Sequence, residues 1–218
     1  MKTLNLIFVV ALCFMAISRV SGTYYIIKTF ENYSSKEDAS KEGQLNADGQ
    51  KRVECFAGLV GSKITKPDHI YYKADGVSKD GTVKVNSRKF TAEAIAQKLG
   101  GIPANAITKD EQLSNLMERT HADGSTNSVF VWSDKDKAKE VATALGAAPD
   151  KIPAEFKKDN YGGIWAIEGS DLKEMTMGCD GLPDSHDGSS ASASGSQSSI
   201  RLTIMYLAVA VMTALYFF

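Results

Sequence analysis

The stretch TYYIIKTFENYSS, residues 23–35, decides how the rest of the chain is read. Its first half, TYYII, is a compact run of aromatic and β-branched residues, the composition of a buried strand. Its second half turns polar at Lys28 and keeps aromatic rings at Phe30 and Tyr33. Parallel sheets bind ligands beyond the carboxyl ends of their strands. KTFE, residues 28–31, is therefore where a site would begin.

Downstream, strand and helix signals alternate. In NADGQKRVECFAGLVG, Val53, Phe56, Ala57 and Val60 recur at helical spacing, with Asn46 as N-cap and Gly61 as stop. PDHIYYKAD enters a second strand after Pro67, and KDGTVKVNS is a loop with turn chemistry at Asp80 and Gly81. SRKFTAEAIAQKLGG reads as a helix capped around Ser87 and closed by Gly100 and Gly101. NAITKDEQLSNLMERT reads as a short strand followed by a helical turn. NSVFVWS, residues 127–133, is a third clear strand, and DKDKAKEVATALGA a helix with Asp134 as cap or first-turn acid. YGGIWAIEG is a fourth strand, and LKEMTMG supplies a fifth. The alternation predicts an α/β fold, a three-layer α/β/α sandwich with a mostly parallel central sheet. Strand ends then place candidate sites at residues 28–31, 72–75 and 133–134.

The two ends carry a different signal. Residues 1–22 open with Lys2, run apolar, and close on small residues at Val20 and Gly22, the pattern of a signal peptide rather than a membrane anchor. Residues 202–218, LTIMYLAVAVMTALYFF, are apolar, with no basic flank after them. A Ser/Gly-rich linker, residues 181–201, precedes them. Small residues, a polar spacer and a terminal apolar tail make a glycolipid (GPI) attachment signal, with Gly188, Ser189 and Ser190 as attachment positions. The alternative is a C-terminal membrane helix. Either way the expected partner is a membrane, and the expected location is the extracellular face of the plasma membrane.

The folded domain is then residues 23–180. Over residues 23–190, with Lys2, Arg19 and Arg201 set aside, 22 basic residues stand against 26 acidic ones, a net charge of about −4. A mildly acidic chain without a basic run gives no electrostatic case for nucleic acid. Cys13 leaves with the signal peptide, so Cys55 and Cys179 are expected to pair in an oxidising compartment, the alternative being two separate buried thiols. There is no CxxC motif and no Cys/His cluster, so neither a zinc site nor any other metal is expected. Asn32, in the sequon NYS, is an expected glycosylation site.

Several segments together resemble the histidine phosphatase (phosphoglycerate mutase-like) superfamily. They are IIKTFE, LNADGQKRVECFAGLVG, PDHIYYKAD with SRKFTAEAIAQKLG, and VFVWSDKDKAKEVATALGA. The resemblance implies a phosphoglycerate mutase-like sandwich. It implies a site where one histidine attacks phosphorus, a second histidine and two arginines hold the phosphoryl oxygens, and a carboxylate serves as acid. Under it, the family's Arg-His-Gly-Glu falls on Lys28, Thr29, Phe30 and Glu31. The later arginine falls on Arg88, and the second histidine on Asp134 or, one residue off, Ser133. Both histidines are therefore replaced. Of the chain's own histidines, His69 sits at a strand, His121 in a loop and His186 in the linker.

The expected function is that of a degenerate, membrane-anchored pseudophosphatase with no cofactor. Lys28, Glu31 and Arg88 would form a weak notch for a small anion or phosphorylated ligand. The bland alternative pairs Lys28 and Arg88 with Glu31 and Asp134 as structural ion pairs. Two other readings stay open: an active phosphatase using Asp134 or His121, and an adhesion module presenting loops such as residues 77–86.

Overall fold

The computed structural model describes residues 22–74, 76, 85, 87–108, 113–132, 135–156 and 160–184. Expectations about residues 1–21, Asp134, Ser133, His186, Gly188, Ser189, Ser190 and the apolar tail fall outside these, as does most of the loop at 77–86.

Six strands form one sheet: β1 (Thr23–Ile27), β2 (His69–Lys73), β3 (Ala104–Ile107), β4 (Ser128–Val131), β5 (Gly163–Glu168) and β6 (Asp171–Thr176). Their order across the sheet is β3-β2-β4-β1-β5-β6. The first four strands in that order are parallel, while β5 and β6 run antiparallel to their neighbours. The expected three-layer sandwich with a mostly parallel sheet is present. Among the described residues, four α-helices flank the sheet: α1 (Ala47–Leu59), α2 (Ser87–Lys98), α3 (Leu116–Ala122) and α4 (Lys135–Ala144).

Strand polarity follows burial. All five residues of β1 are buried, because β4 and β5 cover both its edges and helices cover both its faces. Its side chains alternate between two cores, as the period-two geometry of a strand demands. Tyr25 and Ile27 join Val53 and Phe56 of α1 and Ala92 and Ile95 of α2. Tyr24 and Ile26 join Leu116 of α3 and Val141 and Ala142 of α4 on the other side. Edge strand β6 instead reads DLKEMT and is largely exposed, its charges fitting an uncovered edge.

Asn46 caps α1 as expected, its side-chain oxygen accepting from the Asp48 and Gly49 amides at 3.1 and 3.0 Å. The helix ends at Leu59 with Val60 as C-cap, and Gly61 follows at φ 88°. That is the left-handed conformation glycine tolerates best at a helix end.

Candidate functional site

Parallel topology gathers chain onto one end of the sheet. There, β1 exits into residues 28–31 and α1 and α2 begin. Because β5 and β6 are antiparallel, the approach to β5 at 160–162 and the segment after β6 reach the same end.

The exit of β1 is closed. Lys28, Thr29, Phe30 and Glu31 are all buried. The Phe30 amide donates to Thr91 Oγ1 at 3.1 Å, fastening the strand exit to α2. The Phe30 ring is fully buried against Phe56, with centroids 6.3 Å apart. A benzyl group thus fills the volume just beyond the end of β1. Lys28 Nζ lies 6.0 Å from the centre of the Tyr161 ring, a cation–π approach. Arg88 is half-buried in the first turn of α2, three residues before Thr91 and therefore on the face that meets Phe30.

Glu31 has a partner that sequence reasoning left unassigned. Arg52, fully buried, donates from Nε to both Glu31 oxygens at 3.1 and 2.9 Å, and from Nη2 to Oε1 at 2.5 Å. The carboxylate that was expected to serve Lys28 and Arg88 is engaged edge-on by Arg52. A glycine makes this possible. A Cβ at Gly49 would stand 2.0 Å from the Glu31 carbonyl oxygen, so only glycine lets α1 start this close to the chain. The Asn46 amide bonds that same carbonyl at 3.1 Å. One turn on from Gly49, Arg52 then falls on the Glu31 side chain.

The chain's last described residues close over Arg52. Nη2 donates to the Pro183 carbonyl at 2.9 Å, and Nη1 lies 3.9 Å from Asp184 Oδ1. Cys179, just upstream, is bonded to Cys55, three residues after Arg52 on α1, with Cα atoms 5.7 Å apart. The expected pairing of Cys55 with Cys179 is present.

Asn32 is half-buried, its side-chain amide donating to the Phe30 carbonyl at 3.0 Å. Beside this end, a cavity of about 310 Å³ opens over the paired strands β5 and β6, against Trp165, Asn160 and Glu174.

Two histidines are described, and topology takes both to the opposite end. His69 is the first residue of β2, and His121 is exposed near the end of α3, which leads into the start of β4. There, Tyr71 donates to Asp123 Oδ2 at 2.9 Å, Arg119 Nε donates to the same oxygen at 2.9 Å, and His69 Nδ1 stands 3.3 Å from the Tyr71 hydroxyl. Burial raises the Asp123 carboxyl, but donors from Arg119 and Tyr71 outweigh it and hold the group below its ordinary value. Burial, then the bond to Asp123, pushes the Tyr71 phenol well above its ordinary value. Asp68 behaves like Asp123. Burial raises it, and the Thr126 and Asn127 amides with the Thr126 hydroxyl lower it further than burial lifts it. Among the described residues, no group of three or more His, Cys, Asp or Glu side chains could hold a metal ion, and no helix is long and apolar enough to cross a membrane.

No family model matches the sequence, and no curated protein matches it. Among solved structures the chain is similar to a protein assigned as the phosphohistidine phosphatase SixA from Agrobacterium tumefaciens. That match has 14% identity and a TM-score of 0.41 over 68% of this chain and 92% of that one. It is also similar to a protein assigned as SixA from Nakamurella multipartitia, at 10% identity and a TM-score of 0.41 over 71% of this chain and 95% of that one.

Proposed function

We propose that the chain is a non-catalytic, surface-anchored binding protein built on a histidine-phosphatase-like sandwich. One observation carries the reading: at the carboxyl end of the sheet, Lys28, Thr29, Phe30 and Glu31, onto which the resemblance puts the nucleophilic motif, are all buried. Under the resemblance Thr29 takes the place of the attacking imidazole, and a threonine hydroxyl needs a base to attack. Both described histidines lie at the other end of the sheet. The Phe30 ring is fully buried against Phe56, and Glu31 is committed to Arg52.

Placement at the cell surface is supported by the leader-like and tail-like segments of the sequence. The Cys55–Cys179 bond adds to that support, since disulfides persist in oxidising compartments.

Turnover of a phosphohistidine peptide and of p-nitrophenyl phosphate by the purified protein tests the activity claim. No hydrolysis above the buffer rate is expected, from wild type or from Thr29→Ala. Hydrolysis that Arg88→Ala abolishes would overturn the reading. Treating intact cells with a phosphatidylinositol-specific phospholipase tests the anchor separately, since release into the medium requires a glycolipid.

A further inference from the structure

We propose that the outer edge of the Arg52 guanidinium is an oxyanion-binding site, which the chain's own Pro183 and Asp184 occupy as a tethered ligand. The proposal goes beyond the reading above and does not depend on whether the protein turns over phosphate.

A guanidinium presents two planar edges that suit a pair of acceptor oxygens. Glu31 takes the edge formed by Nε and Nη2. The edge formed by Nη1 and Nη2 meets Pro183 and Asp184. Nη2 finds the Pro183 carbonyl at 2.9 Å, but Nη1 finds only Asp184 Oδ1 at 3.9 Å, too far for a hydrogen bond. Nη1 is shielded from solvent and makes no hydrogen bond, and the same is true of Asp184 Oδ1. Burying such groups unmade costs free energy. The tail therefore fills the fork in charge but not in hydrogen bonds. A carboxylate or a phosphate, with two oxygens on one centre, would satisfy both nitrogens.

The tail is also held so that only its tip need yield. Upstream, Cys179 is fixed to α1 by the disulfide and Leu182 is buried in the core. Downstream, the Gly162 amide bonds the Asp184 carbonyl at 3.1 Å, and a Cβ at Gly162 would sit 1.9 Å from Asp184 Oδ1. Asp184 is itself partly exposed, its side chain at 33% of full accessibility. An incoming oxyanion displaces the Asp184 carboxylate and the Pro183 carbonyl, and leaves Glu31, Cys179 and Leu182 in place. The fork keeps an anion against it throughout the exchange.

The experiment uses the complete secreted chain with Asp184→Ala and, separately, Gly162→Ala. The first deletes the tethered carboxylate, and the second pushes it aside while keeping its charge. Each protein is titrated with sodium acetate and with inorganic phosphate at constant ionic strength, chloride serving as the balance. The readouts are the unfolding temperature and the Arg52 Nε–H resonance.

Both variants are expected to melt below wild type and to recover saturably with the anion, with the Arg52 resonance moving in step. Wild type, whose own Asp184 competes, should need about fivefold more anion, the factor for an ion pair worth about 1 kcal/mol. Recovery with acetate alone makes the ligand a carboxylate, recovery with phosphate alone makes it a phosphoryl group, and either supports the site. An anion response in Asp184→Ala no stronger than in wild type overturns the proposal. So does an equal response to chloride, or a shift centred away from Arg52.

Discussion

Glu31 and Arg52, 21 residues apart, meet edge to edge in the protein interior, with Arg52 at 0% exposure and Glu31 at 8%. Three hydrogen bonds join them, and no apolar pairing could place α1 against the exit of β1 with the same angular definition. The sandwich therefore holds a cation and an anion at the end of the sheet where a ligand would otherwise go.

Removing one partner should be far worse than removing both. Glu31→Ala leaves a buried guanidinium short of its main acceptor and should cost about 3–5 kcal/mol in urea unfolding. The pair Glu31→Leu with Arg52→Leu should recover a large part of that loss. A double variant no more stable than Glu31→Ala would show that the pair is not what matters.

Phe30→Gly should not restore a phosphate pocket. It empties the space against Phe56 and should cost at least the roughly 3–5 kcal/mol typical of a deleted core aromatic. Thr91→Val, nearly isosteric, leaves the buried Phe30 amide without its acceptor and should cost about 1–3 kcal/mol. Thermal melts of both variants check these values.

Reduction should loosen the protein without dispersing the sheet. The Cys55–Cys179 bond closes a loop over a separation of 124 residues. A loop this long stabilises by about 3–5 kcal/mol through the entropy of the unfolded chain. Urea unfolding of the oxidised protein should lie about 3–5 kcal/mol above that of the reduced protein, and the Cys55→Ala, Cys179→Ala double variant should match the reduced curve.

Stability should fall at both extremes of pH, for opposite reasons. The Asp68 and Asp123 carboxyls are depressed in the folded protein, so their contribution is present above about pH 4 and is lost as pH falls below it. The Tyr71 phenol is raised, so its contribution is complete below about pH 10 and is lost as pH climbs above it. Melting temperatures measured across pH should show both limbs, and Asp123→Asn should flatten the acid one.

The layering and most elements were legible because they rest on local rules. TYYII is aromatic and β-branched throughout, Asn46 precedes its helix, and VFV and IWAI within their strands are short apolar runs. The site was legible only as a position. Glu31 could be named, but its partner depends on how closely α1 approaches, and that is set by the absence of a side chain at Gly49. One clue was available: Arg52 lies four residues before Phe56, so a charge sits on the buried face of the helix. A charge there demands an opposite one nearby. The Pro183 carbonyl left no such trace, since a backbone acceptor after β6 reaches Arg52 only through the antiparallel return of β5 and β6.

The disulfide also sets where the protein gives way under tension. A pull on the chain beyond Asp184 first peels Asp184 from Gly162 and then Pro183 from Arg52, contacts made of single hydrogen bonds. It then reaches Cys179 and stops, because the covalent link carries the load into α1. Without that link the next element in line is β6, an edge strand that could unzip from β5 one rung at a time. A molecule tethered by this end would thus lengthen by a few residues and hold, uncovering the Arg52 fork while its sheet stays closed.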